Sequence, residues 1–544
     1  MAEGLEGEGY VLAVDLGTGG PKVALVNQRG QIAAHAKADT VLRLLPGGGA
    51  EQDPLSWWEA IVVATRQVLG SGAATAEQVV GIGCTSQWSG TVASAADGTP
   101  VRPALIWMDS RGATAMRRQM AGPVKVLGYD VRKLWRWVRL TGGAPGHSGK
   151  DPTAHILWMR DNEPSLYAGT HKFLEPVDWL NHKLTGRFVA SFDSIAAHWV
   201  TDNRRVDAVE YDPTLMRMAG LDREKLPDLA PSATIIGHLS VAAAGDLGLA
   251  AGLPVATGTG DVHSAAVGSG AVADFEGHLY IGTSSWISCH VPYKKTDPVR
   301  NVASLPSALP GRYMVADEHE TAGACLTFLA ETVLSGNDAL GSTAPADDIY
   351  ARMDEVAAAS TPGAHRTLFT PWLNGERSPV DDHTIRGGFH NLSLATTRGD
   401  LVRAVYEGVA YNSRWLLGAV EHFIGRPFPS LAFIGGGAKS DVWAQIHADV
   451  TGRPIRQVAD PVLANVRGAG ILTWLALGVV QVEDIPAMVD VRRTFEPDPA
   501  LRPVYDELYG EFVNLYKRTK GIHKRLNATR SATRGANTQG ASKT

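Results

Sequence analysis

The sequence has few of the features that mark secreted, membrane-spanning or nucleic-acid-binding proteins. It contains three cysteines in 544 residues, Cys84, Cys289 and Cys325. Their odd number and wide spacing exclude a disulfide framework and a cysteine-based metal site. The longest strongly apolar stretch, residues 469–480, is too short to span a bilayer. A net charge of −5 leaves no excess of basic side chains for nucleic acid. We therefore expect a cytoplasmic protein with no nucleic-acid or membrane partner.

The N terminus also lacks a targeting signal, because residues 1–9 are acidic and glycine-rich instead of basic and then apolar. What the sequence does have is apolar side chains, 44% of the total against 20% charged, enough to build a large core. The length predicts two large domains or about three to four smaller ones. The 59 glycines follow no collagen-like period and indicate many tight turns, which phosphate-binding loops also use.

One order of predicted elements occurs twice along the chain. Residues 10–16 form an apolar strand, which a Gly-Thr turn joins to a second strand over residues 22–27. Residues 277–281, a second Gly-Thr turn and residues 286–291 repeat this pattern, and helices and further strands follow in both places. Strands that alternate with helices after a short antiparallel meander predict an α/β layer fold. The repetition indicates an ancient duplication with a cleft between the two copies.

The chain is divided accordingly into two domains with polar ends. We predict a flexible N terminus over residues 1–9, a first domain over 10–264 and a second over 265–517. Residues 518–544 are polar and nearly free of large apolar side chains, so we predict a disordered tail there. The sequence leaves the oligomeric state open, with a homodimer among the alternatives.

The first Gly-Thr turn carries the residue types that a magnesium-nucleotide site needs. Asp15 stands at a strand end, Gly17 and Thr18 form the turn, and Lys22 follows in the next strand. A carboxylate, inward-facing backbone N–H groups and a lysine suit Mg²⁺ and nucleotide phosphates. The spacing matches neither a Walker A loop nor a Rossmann fingerprint. An ordinary glycine-rich hairpin is the alternative.

Two later loops strengthen this interpretation. Gly282 and Thr283 repeat the first turn, and two such hairpins on opposite sides of a cleft would grip phosphates from both sides. Residues 435–440, GGGAKS, lie between a strand and a helix, where bare backbone lets a flat ring or a phosphate approach and the helix start favours anions. The alternatives are a polar turn and a long strand-to-helix loop.

Asp261 is the candidate general base. It follows a glycine-rich strand end, Gly258-Thr259-Gly260, and can accept a proton from a substrate hydroxyl at the mouth of the cleft. The alternative is a helix N-cap before residues 264–267.

Two tryptophan-bearing stretches, SQWSG and IWMDSR, are the candidates for reading a sugar. Gln87 and Trp88 lie in the first, and Asp109 and Arg111 in the second. An aromatic face stacks on a sugar ring, and a carboxylate or guanidinium binds vicinal hydroxyls. Buried tryptophans and a salt bridge are the alternative.

Taken in order, these stretches resemble the FGGY family of carbohydrate kinases, and within it the branch that phosphorylates D-xylulose. The similarity runs from about Tyr10 to about Leu477. The matching stretches are DLGTGGPK, SQWSG, IWMDSR, ILWMRDNEP, FLEPVDWLNHKLTG, REKLPDL, GTGDVHSAAVGSG, GTSS, FTPWLNGERSP, GGFHNLSLATTRGDLVRAVYEGVAY and GGGAKSDVWAQIHADVTGRP. The resemblance implies two ribonuclease-H-like domains of the actin, hexokinase and Hsp70 type, which close on ATP and a sugar.

The resemblance also implies roles for the candidate residues. Asp261 would deprotonate the sugar hydroxyl, and Asp15 would hold Mg²⁺ through water. Both Gly-Thr loops would contact phosphates. The other implied roles are nucleotide contact for Gly17, Thr18, Lys22, Gly282, Thr283, Gly436, Gly437 and Lys439, and sugar contact for Gln87, Trp88, Asp109 and Arg111.

The sequence departs from the D-xylulose branch at the sugar. That branch carries Gly-Gln-Met-His-Gly where this chain has Ser86-Gln87-Trp88-Ser89-Gly90. D-xylulose is the best single substrate, and another ketopentose, a pentitol or a tetritol is the alternative within the class. Outside this class, the alternative is a catalytically silent homologue that binds a sugar or a nucleotide. The presence of both aspartates and both Gly-Thr loops argues against it. The paired motifs of glycerol kinases are absent.

Overall fold

The computed structural model describes residues 9–298, 300–339 and 341–527, and it contains two large β-sheets. The first sheet has the strand order β5-β6-β4-β1-β2-β3, with β7 also paired to β4. Strands β1, β2 and β3 are antiparallel, and β4 runs parallel to β1. The strands of this sheet are β1 (Tyr10–Gly17), β2 (Gly20–Asn27), β3 (Ile32–Lys37), β4 (Val79–Ser86), β5 (Ile235–His238), β6 (Pro254–Ala256) and β7 (Thr259–Gly260).

The second sheet repeats this topology. Its order is β10-β11-β12-β9-β8-β13-β14-β15, in which β8, β9 and β12 are antiparallel neighbours and β13 runs parallel to β8. Its strands are β8 (Gly277–Ile281), β9 (Ser285–Val291), β10 (Thr296–Asp297), β11 (Val302–Pro306), β12 (Tyr313–His319), β13 (Leu431–Ile434), β14 (Ile455–Val458) and β15 (Val491–Phe495). The predicted α/β fold of two ribonuclease-H-like halves is thus confirmed. We call these halves the N-terminal and the C-terminal half.

Fifteen α-helices lie within the described residues. They are α1 (Pro54–Gly70), α2 (Ala113–Met120), α3 (Val131–Thr141), α4 (Pro152–Asn162), α5 (Pro164–Gly169), α6 (Pro176–Thr185), α7 (Pro213–Ala219), α8 (Val241–Leu247), α9 (Asp261–Gly268), α10 (Gly323–Phe328), α11 (Ile349–Ala359), α12 (Arg398–Ile424), α13 (Asp441–Thr451), α14 (Ala464–Ala476) and α15 (Arg502–Asn527). The short strands outside the two sheets are Arg43–Leu45, Gly49–Gln52, Val92–Ser94, Ala104–Leu105, Lys125–Val126, Tyr129–Asp130, Lys172–Leu174, Val189–Ser191, Thr201–Asp202, Glu210–Tyr211, Asp228–Ala230, Gly336–Asp338, Gly341–Thr343, Leu368–Thr370 and Gly388–His390. Among the helices described, none has an apolar stretch long enough to cross a membrane.

Several helix starts follow from local sequence. Asp53 precedes Pro54 and its carboxylate accepts a hydrogen bond from Leu55 N, which is typical of an N-cap before a proline at the first helical position. Thr397 and Asp400 form a capping box at the start of α12, which is 27 residues long and almost entirely buried on one side. These caps fix where α1 and α12 begin. The buried side chains of α1 belong to a core of the N-terminal half, and those of α12 belong to a core of the C-terminal half.

The two halves share a third core, which α9 and α14 build between the sheets. The helices cross at glycines: a Cβ on Gly268 would overlap the carbonyl oxygen of Ala464, and one on Gly468 would overlap that of Ser264. Glycine is required at both positions because the two backbones touch. The shared core takes side chains from both sheets and both helices; it includes Val11, Val26, Val262, Ala266, Trp286, Ile434, Val466 and Trp474.

A lobe inserted in the N-terminal half has its own small core. It contains α2 to α5 and α7, and its buried side chains include Met116, Trp137, Leu157, Phe173 and Leu215. We call it the insertion lobe. It matters for the site because the segments around Trp107 and Lys150 belong to it or border it.

The structure changes two predicted boundaries. The expected domain join at 264/265 falls inside α9, which is continuous from Asp261 to Gly268. The predicted tail is wrong for residues 518–527, because α15 continues to Asn527, whose side-chain amide donates to Thr384 O at 3.0 Å. The helix persists because Phe512 is buried and Tyr516 packs on Trp372. Residues 528–544, and residues 1–8 of the predicted flexible start, lie outside the described residues.

Candidate active site

An ion pair stands at the end of the first hairpin. Asp15 in β1 lies opposite Lys22 in β2, and Lys22 Nζ is 2.9 Å from Asp15 Oδ2. Asp15 is buried, and its charge raises the pKa of Lys22 although burial alone would lower that pKa. Its second oxygen, Oδ1, has no hydrogen-bond partner within the described residues. A carboxylate paired with a lysine through one oxygen only fits a magnesium-bound water, because Mg²⁺ keeps several waters and takes one or two carboxylates together with phosphates.

Asp261 is the first residue of α9 and lies near this pair. Burial, then Asp15 and then Glu318 raise the pKa of Asp261 to about 8, whereas Lys22 lowers it. The N-cap of α9 is Gly260, and Asp261 Oδ1 accepts from the adjacent Val262 N at 2.9 Å. Asp261 is therefore not the N-cap that the alternative interpretation required. A carboxyl group that titrates near neutral pH is suited to accept a proton.

Thr18 in the first Gly-Thr turn is held by three side chains. Its Oγ1 accepts from Trp107 Nε1 at 3.0 Å and donates to Gln87 Oε1 at 3.0 Å, and its carbonyl accepts from Gln52 Nε2 at 2.8 Å. Gln87 Nε2 donates in turn to Gln52 Oε1 at 2.7 Å. Gln87 is 1% exposed. Gln87 therefore supports the first Gly-Thr turn, and its contact with the sugar stays a prediction.

The second Gly-Thr turn is anchored to α10 through its carbonyl groups. Gly282 O accepts from Gly323 N at 2.8 Å, and Thr283 O accepts from Ala322 N at 2.9 Å and from Ala324 N at 3.2 Å. The Thr283 side chain is exposed. The loop is thus fixed by its backbone while its hydroxyl stays available to a ligand.

Tyr280 connects the two Gly-Thr turns. It lies in β8, its ring would contact a Cβ on Gly282 at 2.6 Å, and it stacks on Trp286 at 3.7 Å between ring centroids. Burial, then Asp261 and then Asp15 raise the pKa of Tyr280. The Tyr280 ring beside the second turn is therefore close enough for the charges of both aspartates to act on its hydroxyl.

The glycines of the third loop have different surroundings. A Cβ on Gly435 would meet Ile281 O at 2.5 Å, and one on Gly437 would meet Ile281 Cγ2 at 2.5 Å, so both are required for packing on β8. A Cβ on Gly436 would meet nothing within 4 Å, and Gly436 and Lys439 are exposed. Gly436 and Lys439 are therefore the members of this loop that a nucleotide can reach directly.

Trp88 lies beside the residue that precedes the candidate base. Its Cγ would be 3.0 Å from a Cβ on Gly260, its ring meets His263 edge-on at 5.2 Å, and its Nε1 donates to Ser194 O at 2.9 Å. Trp88 is partly exposed, and Ser89 adopts a left-handed backbone with φ of 63°. Trp88 thus places a partly exposed aromatic side chain beside Gly260, the residue before Asp261.

Asp109 and Arg111 form an internal ion pair. Asp109 is 0% exposed, and its Oδ2 accepts from Arg111 Nε at 2.9 Å and from Ala50 N at 2.9 Å. Arg111 Nη2 also donates to Glu51 Oε1 at 2.6 Å, and its guanidinium stacks over Trp158 at 4.1 Å. The Asp109 carboxylate is thus fully buried and paired, and its contact with the sugar stays a prediction. The salt-bridge alternative describes it better.

Four further residues border the cleft, and the sequence analysis assigned them no role. Glu318 in β12 acts on Asp261, Arg377 donates to Glu318, and Trp107 holds Thr18. Lys150 in the insertion lobe lies 3.5 Å from Glu320 Oε1. These side chains come from segments far apart in the chain, so the spacing of residues within one motif could not predict that they pair. Trp107 and Arg377 did lie in stretches that resemble the family.

Two α/β halves with equivalent strand topology and equivalent Gly-Thr hairpins define a two-domain fold of the actin and hexokinase type. Residues 10–268 match the N-terminal domain of the FGGY family of carbohydrate kinases, and residues 279–477 match its C-terminal domain. The chain therefore belongs to the FGGY family of carbohydrate kinases, and it is an ATP-dependent, xylulose-kinase-like sugar kinase.

Similar proteins extend over the whole chain. A xylulose kinase of Escherichia coli is 28% identical over 93% of this chain and 98% of its own length. An autoinducer-2 kinase of Klebsiella pneumoniae is 25% identical over 94% of each chain. The crystal structure of a xylulose kinase from Rhodospirillum rubrum superposes with a TM-score of 0.79 at 26% identity, over 95% of this chain and all of that one.

Proposed function

We propose that this kinase phosphorylates a ketose, with D-xylulose to D-xylulose 5-phosphate as the best single reaction. The observation that carries the proposal is the position of Asp261, a carboxyl group with a pKa of about 8 that lies near the Asp15–Lys22 pair. The names of the relatives from Escherichia coli and Rhodospirillum rubrum support D-xylulose as the substrate class.

Asp261 accepts the proton of the attacking sugar hydroxyl, and Lys22 pairs with Asp15 at 2.9 Å. Asp15 would hold Mg²⁺ through water, and the bound ion would supply positive charge to the phosphates of ATP. The backbone N–H groups of the first Gly-Thr turn and the exposed hydroxyl of Thr283 contact the phosphates from opposite halves. Phosphoryl transfer needs positioning and charge stabilisation more than covalent catalysis, and these residues supply both.

The cations beside the cleft favour an uncharged sugar over a sugar acid. Lys22 is paired with Asp15, and Lys150 and Arg377 both contact Glu320. A bound carboxylate would need a cation of its own, because each of these three is already engaged. A neutral ketose or polyol has no such requirement and binds through hydroxyl groups and the face of Trp88.

Trp88 and Ser89 keep other neutral substrates open as alternatives: another ketopentose, a pentitol or a tetritol. The indole is larger than the methionine of the D-xylulose branch, and the serine reaches less far than its histidine. A catalytically silent homologue is a further alternative. The buried Asp15–Lys22 pair and the raised pKa of Asp261 favour catalysis, because neither is needed to bind a sugar passively.

A coupled assay of ADP release over ketopentoses, pentitols, tetritols and autoinducer-2 tests the proposal. We expect Mg²⁺-dependent turnover with the highest kcat/KM for D-xylulose, and phosphorus NMR of the product should place the phosphate on C5. A tenfold preference for another compound would replace the substrate but keep the reaction. Sugar binding without ADP release from any compound would contradict the kinase function.

A further inference from the structure

A chain of ion pairs crosses the cleft beside the active site. Lys150 precedes α4 in the insertion lobe, and its Nζ lies 3.5 Å from Glu320 Oε1, just after β12 in the C-terminal half. Arg377 Nη2 lies 3.2 Å from the same oxygen, and Arg377 also donates to Glu318. Glu318 in turn acts on the pKa of Asp261. The chain of charges therefore links the insertion lobe to the candidate base.

Lys150 also lies beside Trp107, which holds the first Gly-Thr turn of the N-terminal half. Its ammonium lies 6.0 Å from the ring of Trp107, whose Nε1 donates to Thr18 Oγ1 at 3.0 Å. The Lys150 side chain is 23% exposed and that of Glu320 is 4% exposed. The ammonium is thus held between the wall that positions Thr18 and the opposite half of the molecule.

We propose that Lys150 is a closing residue: its contact with Glu320 stabilises the arrangement in which the insertion lobe and the C-terminal half meet over the bound sugar. This inference rests on the proposed kinase function, because the sugar and ATP are then bound from opposite halves. If the closed arrangement is the one that binds sugar, a smaller fraction of closed molecules gives a proportionally lower apparent affinity for the sugar. Lys150 would therefore act on the affinity for the sugar.

The charges around Glu320 make Lys150 suited to this role. Burial alone would raise the pKa of Glu320, but Arg377 and then Lys150 hold it below its ordinary value. When Lys150 is removed, Glu320 keeps Arg377 as a partner and is not left as an unpaired buried charge. The contact can therefore break and form without leaving a buried carboxylate unpaired.

Other contacts between the insertion lobe and the C-terminal half are of a different kind. Lys294 Nζ donates to Val138 O at 2.8 Å, and Tyr313 OH donates to Asn203 O at 2.9 Å. Both are directed at backbone carbonyls. Lys150 differs from them because its partner belongs to the chain of charges that ends at the candidate base.

Steady-state kinetics with the best sugar of the panel test the proposal through a double-mutant cycle of Lys150→Ala and Glu320→Gln. We expect each variant to raise KM for the sugar about three- to tenfold with kcat within about twofold, and the double variant to add little. Lys150→Arg should restore most of the affinity. The matched control is Lys133→Ala, because Lys133 is partly buried and donates to Gln119 O at 2.5 Å and Ala121 O at 3.0 Å within the insertion lobe.

Small-angle scattering supplies a readout that does not depend on activity. Lys150→Ala should have a larger radius of gyration than the unaltered protein, both alone and with a non-hydrolysable ATP analogue and Mg²⁺, and Lys133→Ala should not. Unchanged KM and unchanged radius would overturn the proposal. An effect of Lys150→Ala on one sugar, with Glu320→Gln silent, would overturn it in favour of direct sugar contact. If no compound of the panel releases ADP, the kinase proposal fails, whereas the scattering comparison still decides the closing role.

Discussion

Replacing Asp261 by asparagine separates a catalytic role from a structural one, because the two roles predict opposite changes in stability. The pKa of Asp261 is raised from 3.8 to about 8, so the folded protein favours the protonated carboxyl. The stability that this carboxyl contributes is fully present below about pH 4 and is lost as the pH rises through 8. Asparagine is neutral throughout and does not lose it.

The expected magnitudes follow from this shift and from the lost base. Turnover on the best sugar should fall roughly 10²- to 10⁴-fold, the usual contribution of a general base. The melting temperature of Asp261→Asn should exceed that of the unaltered protein by about 1–4 °C at pH 8–9 and by less at pH 5. In the unaltered enzyme, kcat/KM should fall about tenfold for each pH unit below the pKa of Asp261, which Mg²⁺ near Asp15 will shift below 8.

Thermal unfolding followed by circular dichroism at several pH values, together with the pH profile of kcat/KM, checks these expectations. Glu318→Gln serves as a comparison, because removing a negative charge near Asp261 should lower its pKa and move the profile to lower pH. A loss of rate with a lower melting temperature at every pH would refute the reasoning. Asp261 would then be a residue that holds the start of α9, and the proton acceptor would lie elsewhere.

Further predictions concern the metal, the sugar and the loops. Asp15→Ala should abolish Mg²⁺-dependent turnover but keep sugar affinity in calorimetry; an equal loss of both would show that Asp15 belongs to the sugar site. The double variant with Trp88→Met and Ser89→His should raise kcat/KM for D-xylulose about tenfold relative to polyols, because the histidine restores a hydrogen bond to the sugar. A lower kcat/KM would show that the two residues do not determine the substrate. Gly468→Ala should destabilise the protein by about 1–3 kcal/mol through overpacking, whereas Gly436→Ala should keep its melting temperature and raise KM for ATP. A tolerated Gly468→Ala in thermal unfolding would contradict the close helix crossing.

The parts of the fold that local chemistry determines were predictable from sequence. The hairpin of β1 and β2, the Asp53 cap of α1 and the long helix α12 each depend on residues within a few positions of one another. The repeated strand, Gly-Thr turn and strand order predicted two equivalent sheets for the same reason.

The parts that tertiary packing determines were not predictable. Gln87 and Asp109 have the residue types of a sugar site, but their partners, Gln52 and Ala50, lie more than 30 residues away and bury them. The pairing of Lys150 with Glu320 spans 170 residues, and no periodicity reports such a contact. The last turns of α15 look polar because they are partly solvated, although the preceding turns pack against Trp372.

The crossing of α9 and α14 has a consequence for how the chain is made. The inner face of the first sheet is covered by α14, and Trp474 Nε1 donates to Val26 O at 3.0 Å, so the N-terminal half has no complete core of its own. During synthesis, the roughly 200 residues between α9 and α14 take roughly 10–40 s to emerge at about 5–20 residues per second. The nascent N-terminal half exposes the apolar face of β1 and β2 to chaperones during that interval. Two fragments cut between α9 and β8 should accordingly be insoluble apart and should reconstitute activity when produced together.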